Sequence, residues 1–293
     1  MALAQENDEV GIWSELGIEK AITKNWDVGL DLEYRAQNRS RLSTGISTGY
    51  KLNKYLKFGI GYNYLHTFRP DKYKEKSEYK DKSEGDSDNY TIGYNQTTGY
   101  NRTFAYSYPR HRFSVDAIGS IKFWGWLKVS LRERYQLTFC RARTATTYKY
   151  REKYRYRENY EKKVDFDDDW NEITWYDMNK TETTEITETM ETEVKPSSTD
   201  QVLRSRLKLE FDKKRNPFSP FISAELHNSV KPGDKMLLQK IRTAAGLSYK
   251  FRKHHEVTFA YLLTFDIHDI EEDVVVSVHN RMHAINFGYN YSF

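Results

Sequence analysis

Ile285-Asn286-Phe287-Gly288-Tyr289-Asn290-Tyr291-Ser292-Phe293 closes the chain. Ile285, Phe287, Tyr289, Tyr291 and Phe293 are apolar or aromatic, while Asn286, Gly288, Asn290 and Ser292 between them are polar or small. A period of two puts the sets on opposite faces of a strand, whereas a helix would scatter them around its circumference. One face of such a strand suits apolar surroundings and the other suits water.

The same alternation runs back through the sequence. Trp26, Val28, Leu30, Leu32 and Tyr34 alternate with Asp27, Gly29, Asp31 and Glu33, and Leu42, Ile46, Tyr50 and Leu52 with Arg41, Ser43, Gly45, Ser47 and Gly49. Leu56 to Tyr64, Phe113 to Ile121, Leu127 to Leu137, Leu203 to Phe211, Ile241 to Phe251 and Val257 to Phe265 repeat it. Two segments are weaker: Phe221 to Leu226, opened by Pro217 and Pro220, and Val10 to Ile18, where Trp13 breaks the pattern.

Composition narrows the setting. The 293 residues are 38% hydrophobic and 30% charged, with a mean hydropathy of -0.85, a balance close to that of soluble or disordered chains. Disordered chains are poor in aromatics, yet here aromatics make up 15%. No apolar run of about 18–20 residues exists, which excludes a transmembrane helix but not a barrel strand, whose lipid-facing and lumen-facing residues alternate. The net charge of +4 is too small and dispersed to point to nucleic acid, and the single Cys140 excludes an intramolecular disulfide. Ala2-Leu3-Ala4 matches the small-x-small pattern of a signal-peptide cleavage site, so residues 1–8 are expected to be a signal remnant and N-terminal tail before a barrel over 9–293.

The connections alternate in length. Short ones fall at Lys24-Asn25, Asn53-Lys54, Trp124-Gly125-Trp126, Lys213 to Asn216 and Arg252 to His254. Longer ones fall near Ala36 to Ser40, Thr67 to Pro109, Arg141 to Asp200, His227 to Asp234 and Asp266 to Asn280. Outer-membrane barrels have short periplasmic turns and longer extracellular loops. The expected fold is therefore all-β: an antiparallel transmembrane β-barrel of the bacterial outer membrane with about twelve strands (ten to twelve), the C-terminus periplasmic. The visible segments number about eleven, whereas single-chain bacterial barrels normally have an even count. Either the N-terminal residues return through the lumen, a strand escapes the pattern, or a parallel pair closes the barrel. The final aromatic strand resembles the C-terminal signal read by the barrel-assembly machinery, carried by Phe287, Tyr289, Tyr291 and Phe293.

The insertions 67–109 and 141–200 are expected to be extracellular. Asp71 to Asp88 reads as a solvated loop and Thr91 to Tyr108 as an extended hairpin. The second insertion begins basic (Tyr148 to Arg157) and ends acidic (Thr181 to Glu193), with β formers in both halves. Opposite charges across a strand pair attract, which predicts a long hairpin with its basic strand against its acidic one. At its tip, Asp165, Asp167, Asp168 and Asp169 offer oxygens of the kind calcium takes, but without EF-hand spacing, so a solvated acidic tip is preferred. No metal or cofactor is expected.

The polar faces of the strands are charged. Glu15, Asp31, Glu33, Asp116, Glu210 and Glu225 stand against Arg35, Arg41, Arg132, Arg134, Arg204, Arg206 and Arg242, with Asp27, Arg112, Lys128 and Lys208 in the same register. Such charges must pair or face water. The lumen is then either a salt-bridged filling of a narrow barrel, the preferred reading, or an anion-preferring pore, because bases outnumber acids. His66 and His283 fall in the apolar register near the outer rim, where outer-membrane lipid hydrolases keep a serine–histidine pair. No G-x-S-x-G motif accompanies them, and girdle histidines are the preferred reading.

Ile12-Trp13-Ser14-Glu15-Leu16, Glu33-Tyr34-Arg35, Gly49-Tyr50-Lys51-Leu52-Asn53-Lys54, Arg110-His111-Arg112-Phe113, Pro220 to Leu226 and Gly246 to Phe251 resemble, in series, the outer-membrane barrel family labelled domain of unknown function twenty-four-ninety. The resemblance covers most of the strands and implies fold and location; it supplies no catalytic residue, substrate or cofactor. The functional expectation is a non-enzymatic barrel whose charged loops bind an extracellular or outer-membrane partner or ligand. A narrow channel for small anions and a lipid-modifying enzyme are the alternatives. Expected partners are outer-membrane lipid and, during biogenesis, the assembly machinery, with no nucleic acid.

Overall fold

A computed structural model describes residues 9–37, 39–86, 88–230, 233, 235–268 and 277–293. The expected signal remnant at 1–8 lies outside them. The described elements are all strands: β1 (Glu9–Ala21), β2 (Trp26–Ala36), β3 (Arg41–Lys51), β4 (Leu56–Arg69), β5 (Lys72–Asp81), β6 (Glu84–Gly85), β7 (Asn89–Thr103), β8 (Tyr106–Phe123), β9 (Leu127–Cys140), β10 (Arg143–Phe166), β11 (Glu172–Lys195), β12 (Ser198–Phe211), β13 (Phe218–Ser229), β14 (Leu237–Phe251), β15 (His255–His268) and β16 (Ser277–Ser292). The described residues form two compact units, one from 9–69, 107–143 and 196–293 and the other from 70–106 and 144–195.

In the first unit eleven strands close into a barrel, in the order β1-β2-β3-β4-β8-β9-β12-β13-β14-β15-β16 and back to β1. Strands joined by short turns pair antiparallel, but an odd ring of alternating strands must contain one parallel pair. That pair is β1 with β16, where Ile12 faces Ile285 and Leu16 faces Tyr289. The count is thus one below twelve, and of the three resolutions the sequence left open the parallel seam is the one adopted. The tightest turn, Trp124-Gly125, has both residues at positive φ (48° and 72°), the geometry that matches the twist of a two-residue hairpin.

Alternation sorts the wall. Val10, Ile12, Leu16 and Ile18 on β1 are exposed outward, as are Leu30, Ile46, Ile60, Leu131, Leu207, Ile222 and Phe287 elsewhere. Buried positions are largely polar: Ser43, Ser114, Asp116, Gln136, Glu210, Glu225 and Thr264. Trp13 is 2% exposed. It shares its face with Glu15 and so does not break the alternation; it is a large ring on the inner face. Two rings of outward aromatics bracket the aliphatic band. Near the short turns, Trp26 packs on Tyr50 (5.1 Å), Trp126 on Phe211 (5.7 Å), Phe218 on Tyr249 (4.8 Å) and Tyr291 on Phe293 (4.7 Å). Toward the other end Tyr62 packs on Phe113 (5.2 Å) and His66 on Phe68 (4.7 Å). On β2 the rings at Trp26 and Tyr34 are eight residues apart. That is about 26 Å along the strand, or roughly 20 Å of height once a barrel strand's tilt is applied.

The second unit is one sheet in the order β11-β10-β7-β5, with β6 paired to β7. Lys72–Asp81, expected as a solvated loop, is strand β5, because Tyr73 and Tyr79 pack on Tyr100 (6.2 Å) and Tyr94 (5.4 Å) of β7. The expected hairpin within 91–108 is also corrected. β7 is a single strand to residue 103, held between β5 and β10. β10 and β11 are neighbours, and Lys149–Glu191 (2.5 Å) and Arg155–Glu185 (2.9 Å) join the basic strand to the acidic one.

Candidate functional site

The inner face of the barrel encloses a cavity of about 550 Å³. Small side chains make room for it. A methyl group on Gly45 would meet the Asp31 carboxylate at 2.5 Å, so the absence of a side chain there lets the carboxylate lie across the strand. The acids Glu15, Asp31, Glu33, Asp116, Glu225 and Glu256 line the cavity, against the bases Arg35, Arg41, Arg112, Arg132, Arg134, Arg204, Arg206, Lys208 and Arg242. Twelve of the thirteen lumen residues singled out in the sequence therefore meet around one space. The thirteenth, Glu210, is buried and accepts an ion pair from Lys208 at 2.9 Å.

Most acids are shared by two bases or held by an amide. Glu33 takes Arg35 and Arg41, each at 2.6 Å. Asp116 takes a two-pronged contact from Arg132 (2.9 Å on both oxygens) and a second guanidinium, that of Arg134. Glu225 bridges to Arg204, with His227 Nε2 3.0 Å away. Asn286 Nδ2 donates to Glu15 (3.1 Å), and Asn63 Nδ2 to Asp31 (3.0 Å). Planar two-pronged pairs fix both partners, so these residues form a rigid lining.

The bases are left in excess. Among the described residues Arg112, Arg206 and Arg242 have no carboxylate within 4.0 Å. Arg112 donates to Thr138 Oγ1 (3.2 Å) and Arg242 to Thr264 Oγ1 (3.1 Å), both uncharged acceptors. Among the described residues, Arg35 Nε, Arg41 Nε and Asn286 Oδ1 are buried without a partner. Groups of this kind are tolerated only where water or a counter-ion reaches them.

Trp13 lines the cavity beside Arg35 and Arg242. Arg35 lies 3.6 Å and Arg242 4.8 Å from its ring centre, its indole N–H donates to Gln37 (3.1 Å), and it packs with Leu262 and Ala284. A cation over an indole face is held by the ring quadrupole. Only the alternation count on β1, in which Trp13 falls in phase with Glu15, marks this residue in the sequence.

The remaining expected residues lie elsewhere. Phe287 and Phe293 are exposed on the outer wall, and Tyr289 bonds His255 (2.8 Å). The two histidines sit on that wall too: His283 meets the Tyr261 hydroxyl at 2.5 Å and His66 packs among Tyr64 and Phe68. Asp167 turns its carboxylate onto the backbone N–H groups of Asp169 (3.0 Å) and Asn171 (2.7 Å), closing the β10–β11 turn, and Asp165 accepts from Phe166 N. Among the described residues, including Asp168 and Asp169, no cluster of three or more carboxylate, histidine or cysteine groups is arranged to hold a metal ion.

Fold and interior together define a single-chain closed β-barrel, apolar outside, with a rigid cation-rich lumen. The chain belongs to the family described as "Protein of unknown function (DUF2490)", whose model matches residues 10–271. No curated protein matches the sequence. Among solved structures, the CymD monoaromatic hydrocarbon channel matches over 89% of this chain and 84% of that chain, at 8% identity and a TM-score of 0.32. A likeness at that level carries no argument about what this barrel does.

Proposed function

We propose that this protein is a non-enzymatic barrel of the bacterial outer membrane whose lumen admits small anions. The membrane reading is supported by the exposed aliphatic band between two aromatic rings. In water such a band would far exceed the few hundred Å² of apolar patch that soluble proteins leave open. The orientation follows the short and long connections, with turns periplasmic and insertions extracellular.

One observation carries the anion reading: Arg112, Arg206 and Arg242 face a cavity without carboxylate partners. Uncompensated guanidinium groups around water raise local anion concentration and exclude cations, as basic rings do in anion pores. On this reading Trp13 is the constriction. Reconstituted protein should conduct in planar bilayers with a reversal potential favouring chloride over potassium. Replacing Arg112, Arg206 and Arg242 by Gln should move that potential toward zero, and Trp13→Ala should raise conductance. A protein that stays silent both as wild type and as Trp13→Ala would overturn the reading.

A second reading, recognition of an external partner or ligand by the insertions, is favoured by their folding into a single registered sheet rather than separate loops.

A further inference from the structure

The sheet of the second unit has two chemically distinct faces. Directly opposite residues of β5, β7 and β10 share a face, so register assigns them. On one face tyrosines stack across the strands: Tyr94 on Tyr156 (5.3 Å), Tyr100 on Tyr150 (5.6 Å) and Tyr90 on Tyr160 (4.6 Å). That face explains the stability of the sheet, since rings paired across strands replace a buried core. The other face has no such structural account.

There, Lys74 and Lys149 flank Asn101, while Lys76 and Arg151 flank Gly99. In the next row Glu78 and Lys153 flank Thr97, and in the one after that Lys80 and Arg155 flank Asn95. Between these basic rows β7 presents only Asn, Thr and Gly, from Asn89 to Thr103. The result is a trough floored by amides, hydroxyls and backbone, over which Arg151 and Arg157 fold, and walled mainly by cations, with Glu78 the one acid on the β5 side between Lys74 and Lys80. The walls stand two strand spacings apart, about 9.5 Å, and face each other for about 20 Å, from Lys74 and Lys149 to Lys80 and Arg155.

The floor is kept low. Arg151 lies across it, donating to the carbonyls of Tyr100 (3.0 Å) and Tyr150 (2.6 Å), and Arg157 donates to that of Tyr156 (2.7 Å). A methyl group on Gly93 would meet Arg157 Cδ at 2.6 Å. Lys80, Lys149 and Arg155 have carboxylate partners, but among the described residues Lys74, Lys76, Arg151, Lys153 and Arg157 have none. Asn95 Oδ1, on the floor, is buried and has no hydrogen-bond partner among the described residues.

We propose that this trough binds an extended acidic polysaccharide, its carboxylates or phosphates on the Lys and Arg walls and its hydroxyls on the Asn and Thr floor. The proposal rests on the recognition reading and names its ligand class. β5, β7 and β10 put no aromatic ring on this face, so single-stranded nucleic acid would lack the stacking that holds its bases. Nor do they put an aromatic or aliphatic anchor there, the feature that dominates protein–protein interfaces. Charged walls with a floor of neutral hydrogen-bonding groups match a polymer that is anionic and hydroxyl-rich.

The test uses full-length protein in nanodiscs, titrated with polygalacturonate, dextran, single-stranded DNA and polyglutamate. Polygalacturonate should bind best and weaken with salt, and dextran should not bind. Lys74→Glu, Lys76→Glu and Lys153→Glu together should lower polygalacturonate affinity roughly tenfold or more. The matching Gln variants should give a smaller loss, with the near-ultraviolet dichroism of the tyrosine face unchanged as evidence that the sheet is intact. Asn95→Ala should reduce the preference for polygalacturonate over polyglutamate. Equal binding of all polyanions, or an Asn95→Ala variant with unaltered preference, would overturn the proposal. So would preferential binding of polyglutamate or DNA, which would leave recognition by the sheet standing. Failure to bind any polymer would remove both.

Discussion

Glu158 shows how single side chains hold the sheet together away from any core. It accepts hydrogen bonds from the hydroxyls of Tyr156 and of Tyr160 (2.9 Å), both on its own strand and face. The bond to the carboxylate holds the Tyr156 hydroxyl proton, with burial adding to it, and pushes the tyrosine pKa from 10.0 up to about 12. The same bond, with that from Tyr160, holds the Glu158 carboxyl below its ordinary range. A raised tyrosine stabilises the folded sheet fully below pH 10, and the contribution is lost as pH rises toward about 12. A lowered carboxylate contributes above its ordinary value of 4.5, and the contribution fades on acidification below it. The sheet should therefore loosen at both extremes and keep both contributions between them. Glu158→Gln should bring the Tyr156 titration back toward 10.0, read by tyrosinate absorbance; an unchanged titration would show that burial alone sets it. Nothing in the sequence isolates Glu158 from its charged neighbours, whereas the lumen acids and bases were legible one by one. Strand alternation assigns a face, but which acid meets which base depends on strands far apart in the chain.

Strands β10 and β11 separate two kinds of stabilisation that the sequence presents together. The basic and acidic halves of residues 143–195 advertise a hairpin because both strands are local and oppositely charged. The ion pairs that follow are exposed: Arg155 and Glu185 keep 46% and 60% of their side-chain surface open, and such pairs contribute little in water. The stacked pair Tyr90–Tyr160, with planes 10° apart, ties β7 to β10. Glu185→Gln should accordingly lower hydrogen-exchange protection along β10 by less than about threefold. Tyr160→Ala should lower it by roughly five- to tenfold, the size of an aromatic pair. The reverse order would show that charge within the hairpin, not stacking on β7, protects β10. Residues 91–108 read as a hairpin and Asp71 to Asp88 as a loop, whereas β7 runs unbroken to residue 103 between β5 and β10, and β10 belongs to the other insertion. A strand whose neighbours are distant in sequence has no local turn to announce it, and a lysine-rich edge strand resembles solvated chain in composition.

For the barrel as a whole, period-two segments and the alternation of short and long connections made the wall and its two ends legible. The parity did not follow from either, because the closing pair joins the two ends of the chain and no turn records it. An odd ring must place one parallel pair somewhere, and it falls at β1 with β16, while β1 with β2 and β15 with β16 on either side stay antiparallel. The seam also brings Glu15 beside Asn286, so the lumen network is complete only when the ends meet. That makes closure testable by a crosslink. Leu16 and Tyr289 stand directly opposite across the parallel pair, within the spacing of about 4.4–6.8 Å between Cα atoms that a disulfide requires. With Cys140 replaced by Ser, Leu16→Cys and Tyr289→Cys should oxidise to a crosslink that keeps the protein at its folded mobility on heating in detergent until reductant is added. Leu16→Cys with Ile285→Cys, four residues out of register and therefore about 13 Å away along the strand, should stay reduced. A twelve-stranded closure, or an N-terminal segment running through the lumen, would separate Leu16 from Tyr289 and leave both pairs reduced, so the contrast between the two variants decides whether eleven strands close the wall.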